Sequence, residues 1–170
     1  MKHISRTLTL VFYMILIMLA AVALYADDKS PSKVKVSVIK VEMVQSDGIR
    51  LPAEFQVALY ENLIQQLKKN SGFAQILRDG DRNTRDIPDL VVMRSTVTSF
   101  KEGSERKRQV TTVAGATSMT VHCQFRDRSG NVLLERDING KVRFLGGNLK
   151  ATYDFAKRAA RVAHDNFSVI

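Results

Sequence analysis

A long run in which apolar and polar residues alternate restricts the folds open to this chain more than any other feature. It lies within Gln109–Arg126, and a period of two is typical of a β-strand with one buried face. The apolar members at its end are Met119, Val121, Cys123 and Phe125. A turn sequence follows at Asp127–Gly130, and a returning strand is predicted at Asn131–Phe144. The chain is therefore predicted to contain a long antiparallel hairpin.

Two amphipathic helices are predicted, one before the hairpin and one after it. The first is Pro52–Asn70, where apolar residues recur at every fourth position. The second carries an apolar stripe at spacings of four and three. The members of that stripe are Leu149, Tyr153, Ala156, Ala160, Ala163 and Phe167. We expect Leu63 and Tyr153 to face a sheet, and we expect the alanines to allow close packing against it.

Three further segments are predicted to be strands. They are Val34–Met43, Phe73–Leu77 and Asp89–Phe100. The alternation changes phase at Ile39, which predicts a bulge or burial on both faces there. The element order β-α-β-β-β-β-α in residues 34–170 predicts a single two-layer α+β domain. In this domain two helices cover one face of a mostly antiparallel sheet of four or five strands, and the other face stays open.

The first 26 residues have the pattern of an export signal peptide. A positive start precedes an uncharged stretch from Thr7 to Ala26, and small residues fit cleavage after Ala23 or Ala26. The alternative is an uncleaved N-terminal anchor, since a spanning helix needs about 20 apolar residues. Either interpretation predicts an exported domain in the periplasm or cell envelope. Residues 27–33 have no large apolar side chain and are expected to be a flexible lead-in.

Net charge and cysteine content restrict the partners and the stabilising chemistry. The formal net charge is +9 at pH 7, and removal of Lys2 and Arg6 with the signal leaves +7. This surplus favours an acidic protein or an anionic envelope component as partner, although it could also serve only to keep the domain soluble. Nucleic acid is not an expected partner, and membrane contact is expected only through an uncleaved signal segment. Cys123 is the only cysteine, which excludes an internal disulfide. The sequence does not specify the oligomeric state.

Motifs for catalysis and cofactor binding are absent from the sequence. There is no P-loop, dinucleotide-binding glycine pattern, His-Glu-x-x-His, Gly-x-Ser-x-Gly or paired-cysteine metal spacing. No cofactor, no metal and no catalytic residue is therefore expected. His122 and Cys123 are neighbours on a strand, so their side chains point to opposite faces, and Cys123 is expected in the core. His164 is expected at the surface of the last helix.

An acidic segment between predicted strands could bind a cation. Its carboxylates are Asp79, Asp81, Asp86 and Asp89. Calcium loops space their oxygen ligands closely, but the arginines in this segment neutralise it, and the EF-hand pattern is not met. A solvated polar loop is the preferred interpretation.

The densest basic run in the chain provides the candidate binding residues. It consists of Arg106, Lys107 and Arg108, in a charged turn between two long predicted strands. The run is either a contact for an anion or acidic partner, or a solvated hairpin tip.

The segment from this basic run onward resembles an exported bacterial family. It combines the basic entry, a strand containing Val113–Ala116, the alternating Val121–Phe125, the turn Asp127–Leu133, and an alanine-bearing helix at Asn148–Ala160. These features resemble the family called domain of unknown function 4410. The resemblance implies an extracytoplasmic location and a fold like the small α+β domains of envelope lipoproteins. It implies no activity, because the function of the family is uncharacterised.

We expect from these features a non-enzymatic cell-envelope binding or assembly protein. The alternative is an envelope enzyme whose site is assembled from dispersed polar residues, such as His122, Arg94 and Glu135, on the open face of the sheet. A concave pocket there, with a titratable group of strongly shifted pKa, would favour the enzyme. A flat, basic or apolar patch would favour binding.

Overall fold

A computed structural model describes residues 33–82, 84, 86–110, 115–143 and 146–169. The predicted signal or anchor at residues 1–26, and the lead-in as far as Ser32, lie outside the described residues. The helices in the described ranges are α1 (Ala53–Asn70), α2 (Glu105–Val110) and α3 (Lys150–Asn166). The strands there are β1 (Val34–Val36), β2 (Val38–Val41), β3 (Gln45–Ser46), β4 (Gln75–Leu77), β5 (Leu90–Lys101), β6 (Thr117–Arg126), β7 (Val132–Val142) and β8 (Phe167–Val169).

The main sheet is mixed, which corrects the prediction of a mostly antiparallel sheet with four or five strands. It contains six strands in the order β4-β2-β5-β6-β7, with β3 also paired to β5. β2 runs parallel to β4 and β5, and β3 runs parallel to β5, while β5-β6 and β6-β7 are antiparallel. The parallel pair β2-β4 follows from α1, because a helix between two neighbouring strands returns the chain to the same starting edge.

The first predicted strand is divided between two ladders. β1 pairs in parallel with β8, whereas β2 belongs to the main sheet, and Ser37 separates them. The amide of Ser37 donates to the carbonyl of Asp89 at 3.2 Å. Val38 and Ile39 are both buried, on opposite faces of β2. The predicted burial on both faces at Ile39 is therefore confirmed.

The predicted hairpin is confirmed as β6 and β7, although β6 begins later than expected. Residues 105–110, which overlap the predicted strand, form the unpredicted helix α2. Buried and half-exposed residues alternate along the whole of β6. The Asp127 carboxylate accepts the amide of Asn131 at 2.9 Å and so fixes the turn, while a register shift lies between Phe125 and Arg126. The face of β6 that carries Met119, Val121 and Phe125 lies in the core.

Helices α1 and α3 supply the rest of that core. Leu63 on α1 is 0% exposed, as predicted, but Tyr153 on α3 is 47% exposed, so its predicted orientation is wrong. The buried face of α3 is centred on Phe155 and Ala159, and Tyr153 lies outside it. This orientation depends on Gly140 of β7, where an added Cβ would lie 2.3 Å from the carbonyl oxygen of Ala151. The predicted close packing of the alanines is confirmed, because Ala156, Ala160 and Ala163 are all 0% exposed.

Candidate functional site

The basic run lies on helix α2 and not at a hairpin tip. Arg106 and Lys107 are exposed on this helix, whereas Arg108 is only 4% exposed. Neighbouring residues on a helix point in directions about 100° apart, so three consecutive cations cannot share one environment. The expected solvated turn is therefore wrong for Arg108. A binding role for the run stays a prediction, and the side chains exposed for it are those of Arg106 and Lys107.

Arg108 connects α2 to the segment just before β6 and to the segment just before α3. Its Nη1 donates to the carbonyl oxygen of Gly115 at 2.6 Å, and its Nη2 donates to that of Gly146 at 2.7 Å. A longer contact of 3.5 Å joins Nη1 to Thr117 Oγ1, and among the described residues Nε has no hydrogen-bond partner. Carbonyl dipoles thus hold a buried cation, and the side chain acts as an internal tie.

Two glycines make this arrangement sterically possible. Gly115 has a φ of +91°, a conformation that side chains with a Cβ rarely adopt. A Cβ at Gly103 would lie 2.1 Å from the carbonyl oxygen of Gly115, and one at Gly115 would lie 2.5 Å from that of Ser104. The chain before α2 and the chain before β6 can therefore approach closely enough for the Gly115 carbonyl to reach Arg108.

Four polar side chains form a hydrogen-bonded set on the face of β6 and β7 opposite the helices. We call this set the polar ladder; its members are His122, Gln124, Glu135 and Asp137. His122 Nδ1 is 2.7 Å from Asp137 Oδ1, and His122 Nε2 is 2.6 Å from Glu135 Oε1. Gln124 Nε2 also donates to Glu135 Oε1, at 2.7 Å. The hydrogen bond to Asp137, followed by that to Glu135, raises the pKa of His122, because both carboxylates favour the charged imidazolium. The bonds from Gln124 and His122 lower the pKa of Glu135 for the converse reason.

Arg94 lies on the same face but takes a different partner. Its Nε donates to Glu42 Oε2 at 2.8 Å, and this hydrogen bond raises the pKa of the guanidinium. In the strand register Arg94 stands opposite Gln124. The polar residues named for a dispersed site are thus neighbours on one face. Arg94 and His122 nevertheless contact different carboxylates, since Arg94 contacts Glu42 and His122 contacts Glu135 and Asp137.

The sequence analysis missed Asp137, which is the residue directly opposite His122 in the register. Counting outward from the turn could have found it, but only with knowledge of the register shift beside Phe125. Without that shift, each residue of β6 would be assigned the wrong cross-strand neighbour.

The remaining polar candidates have the structural roles that the sequence analysis preferred: a core cysteine, a surface histidine and a polar loop. Cys123 is fully buried, and burial raises the pKa of its thiol to about 12, which leaves it protonated and unreactive at neutral pH. His164 is exposed on α3. In the acidic segment, Asp79 accepts the amide of Met43 at 3.0 Å and Asp81 accepts that of Arg78 at 2.8 Å. These carboxylates therefore cap backbone groups.

Two cavities lined by described residues lie near these candidates, and the polar ladder lines neither of them. One, of about 610 Å³, lies over the acidic segment and Lys40. The other, of about 260 Å³, lies between the ends of α1 and α3. Within the described ranges no three or more His, Cys, Asp or Glu side chains are grouped to hold a metal ion. No helix there is long and apolar enough to cross a membrane.

Solved structures with a similar fold have low sequence identity to this chain. Two structures of the PelC dodecamer from Paraburkholderia phytofirmans, one of a point variant, match with TM-scores of 0.60 and 0.56. Their identities are 10% and 12%, and the matches cover 81% of this chain and 93% and 92% of those chains. The hypothetical protein CT253 from Chlamydia trachomatis matches at 13% identity with a TM-score of 0.48, over 75% of this chain and 93% of that chain. At such identities the PelC structures show a shared fold.

The comparison with protein families is more specific. No curated protein matches the chain. The family described as "Domain of unknown function (DUF4410)" matches residues 26–144, which is well over half of the chain and includes α1, α2 and all strands except β8. The resemblance found in the sequence is therefore confirmed, and the chain belongs to the DUF4410 family, a domain of unknown function.

Proposed function

We propose that this chain is a non-enzymatic, exported protein of the periplasm or cell envelope that binds an acidic or anionic partner and takes part in an assembly. The observation that carries the proposal is the polar ladder. Its charged side chains neutralise one another across the sheet, whereas Arg106 and Lys107 on α2 are exposed cations.

The ladder favours binding over catalysis because of the state of His122. A general base needs a ring nitrogen with a free lone pair. Both ring nitrogens of His122 face carboxylate oxygens at 2.6–2.7 Å, and the raised pKa favours the imidazolium, which has no such lone pair. Arg94 is likewise engaged by Glu42. The dispersed enzyme site is therefore the weaker alternative.

The assembly part of the proposal takes support from the PelC structures, which are dodecamers. The matched region spans nearly the whole PelC chain, so the likeness concerns a complete subunit of that assembly. We propose that the present domain also assembles, either with its own copies or around an acidic partner. Arg106 and Lys107 are the proposed contact residues, with Arg108 holding their helix in place.

Partner capture and native mass test this proposal. Chemical crosslinking of intact cells, followed by a pull-down from envelope fractions, would identify the bound species, and native mass spectrometry would give the number of copies. The double variant Arg106→Gln with Lys107→Gln should associate more slowly and depend less on salt, because exposed charges are screened over about 8–10 Å.

A matched control removes two exposed lysines elsewhere, in Lys35→Gln with Lys141→Gln. This control should keep the wild-type salt dependence. Identical salt slopes in the wild type and in the Arg106 and Lys107 variant would remove these residues from the interface. A monomeric mass at all concentrations, with no captured partner, would overturn the proposal of an assembly.

A further inference from the structure

A basic groove lies at the end of the helical layer opposite to α2. Its lining residues are Asn70, Lys157, Arg161, His164 and Asp165, and its volume is about 260 Å³. We call this set the Lys157 groove. Lys157, Arg161 and His164 follow one another at spacings of four and three, so α3 presents them on one face. Asn70 comes from the last residue of α1, so that two elements build the groove.

The groove contains two permanent cations, Lys157 and Arg161, and one carboxylate, that of Asp165. Among the described residues, no carboxylate lies within ion-pair distance of Lys157 or Arg161. Arg158, on the same helix, does have such a partner in Asp154, at 3.1 Å. The carboxylate in the groove belongs to Asp165 and lies 3.2 Å from His164 Nδ1. Lys157 and Arg161 are like charges four residues apart, a pairing that disfavours a helix, whereas Asp165 stands four residues after Arg161 and offsets only that end of the pair.

The helix dipole does not account for this pair. Cations are favourable near a helix C-terminus, but the effect is confined to about the last turn. Lys157 lies more than two turns before the end of α3, and Arg161 lies more than one turn before it. Lys68 and Lys69, in the last turn of α1, fit the dipole explanation and add positive potential beside Asn70.

Arg161 and Lys157 together offer donors suited to a tetrahedral oxyanion. The planar guanidinium of arginine can donate two parallel hydrogen bonds to phosphate, and a lysine ammonium adds a mobile charge. Asn70 Nδ2 donates to Gln66 Oε1 at 2.9 Å, which fixes the amide at the groove edge. The groove is smaller than the sites of about 300–1,000 Å³ that hold drug-sized ligands, and larger than one water, whose share of liquid volume is about 30 Å³.

We propose that the Lys157 groove binds a phosphate group, distinct from the partner contact proposed on α2. Arg108 of α2 bonds to Gly146, just before α3 begins, whereas the groove starts at Lys157, about 10 Å further along the helix axis. Either free phosphate or the phosphate of an anionic lipid could supply this group. The lipid source rests on the proposed envelope location, and it would give the domain a membrane contact beyond the N-terminal segment. The phosphate site itself does not depend on that location.

The experiment uses the full chain and the double variant Lys157→Gln with Arg161→Gln, since glutamine is a good helix former. The control is Lys35→Gln with Lys141→Gln, which removes the same charge at exposed positions outside the groove, and circular dichroism checks folding. Inorganic phosphate is titrated at low salt while amide shifts are followed by NMR. In parallel, sedimentation measures binding to vesicles of phosphatidylcholine alone and of phosphatidylcholine mixed with phosphatidylglycerol. The difference between the two vesicles cancels any effect of the N-terminal segment.

We expect phosphate to shift the amides of Asn70, Lys157 and Arg161 in the wild type and in the control, but not in the groove variant. If lipid is the source, loss of two cations should lower the preference for anionic vesicles roughly 30-fold. Loss of phosphate binding with unchanged vesicle binding would assign the site to free phosphate. The variant Arg161→Lys keeps the charge and should still weaken phosphate binding several-fold, because an ammonium group cannot make the two parallel hydrogen bonds of a guanidinium. Absent phosphate shifts in the wild type, or equal losses in the groove variant and the control, would overturn the proposal. Neither result would bear on the partner contact proposed on α2, because that contact is tested separately by crosslinking capture and native mass spectrometry.

Discussion

The face of the main sheet that lies under α1 and α3 is built from apolar side chains, whereas the opposite face of β6 and β7 carries polar side chains that pair with one another. On the covered face, Phe125 and Met93 are 0% exposed. On the open face, His122 and Arg94 each contact a carboxylate within 3 Å. Close packing makes the first face sensitive to small changes in volume. On the second face, water can replace a lost partner at small cost.

This difference shows where stability and binding are located. A substitution under the helices leaves a cavity or an overlap that the surrounding residues cannot absorb. A substitution on the open face exchanges one solvated polar contact for another. Unfolding experiments can compare two nearby residues, one buried and one exposed. Substitution of the buried residue should lower the free energy of unfolding by a large amount, and substitution of the exposed residue by a small amount.

The largest effect is expected on α3, where two aromatic residues two positions apart lie on different sides of the helix. Phe155 is fully buried and Tyr153 is half exposed. Phe155→Ala should lower the free energy of unfolding by about 3–5 kcal/mol, and Tyr153→Ala should change it by no more than about 0.5 kcal/mol. Urea unfolding of both variants measures the difference. Equal losses would mean that the two sides of α3 are misassigned.

Gly140 tests how closely the helix approaches the sheet. A Cβ at this position would lie 2.7 Å from Phe155 Cβ as well as against the backbone of Ala151. Gly140→Ala should therefore cost about 1–3 kcal/mol through overpacking. Gly147→Ala is the control, because nothing lies within 4 Å of its added Cβ and its φ is not positive. A neutral Gly140→Ala would show that α3 can shift away from β7 without loss.

Arg108 does not fit the division into an apolar buried face and a polar exposed face, because it is a charged residue that is buried like a core residue. Arg108→Met keeps the length of the side chain but leaves the Gly146 carbonyl without its donor. The expected cost is about 1–3 kcal/mol, the range for a buried polar group left unpaired. Arg106→Met, at an exposed position on the same helix, should stay within about 0.5 kcal/mol. Thermal unfolding of the pair decides whether the tie contributes to stability.

The smallest effect concerns pH and belongs to the open face. Folding raises the pKa of His122, so its contribution to stability is complete below about pH 6.5, the ordinary value for histidine. That contribution is lost as the pH rises through the folded-state pKa. The urea midpoint of the wild type should therefore fall relative to that of His122→Gln between slightly acidic and slightly basic pH. Parallel curves would show that the carboxylates do not hold the imidazolium in solution.

The parts of the fold that could be predicted are those encoded by local periodicity. The stripe of α1 and the alternation of β6 each require only residues close in sequence, and both elements were found. The parallel pairing of β2 could not be predicted in this way, because its partners lie more than 30 residues away and no local pattern names them. Helix α2 has six residues and no apolar stripe, so its sequence offered no signal of helical period.

The candidate site was harder to predict than the fold for the same physical reason. The basic run was visible as composition, but the burial of Arg108 depends on the carbonyl of Gly146, 38 residues later. The pairing of His122 with Asp137 depends on a register shift that composition does not show. The Lys157 groove combines a helix face that spacing does predict with Asn70, which lies some 90 residues earlier on α1.

The small ladder between β1 and β8 has a consequence for the order of folding. It joins Val34 to Phe167 and Val36 to Val169, so it closes a loop that contains almost all of the described chain. Closing so long a loop early would cost more entropy than forming the hairpin β6-β7, whose strands are joined by a short turn. β1 must therefore wait, with its pairing edge open, until the rest of the domain has brought the two distant segments together.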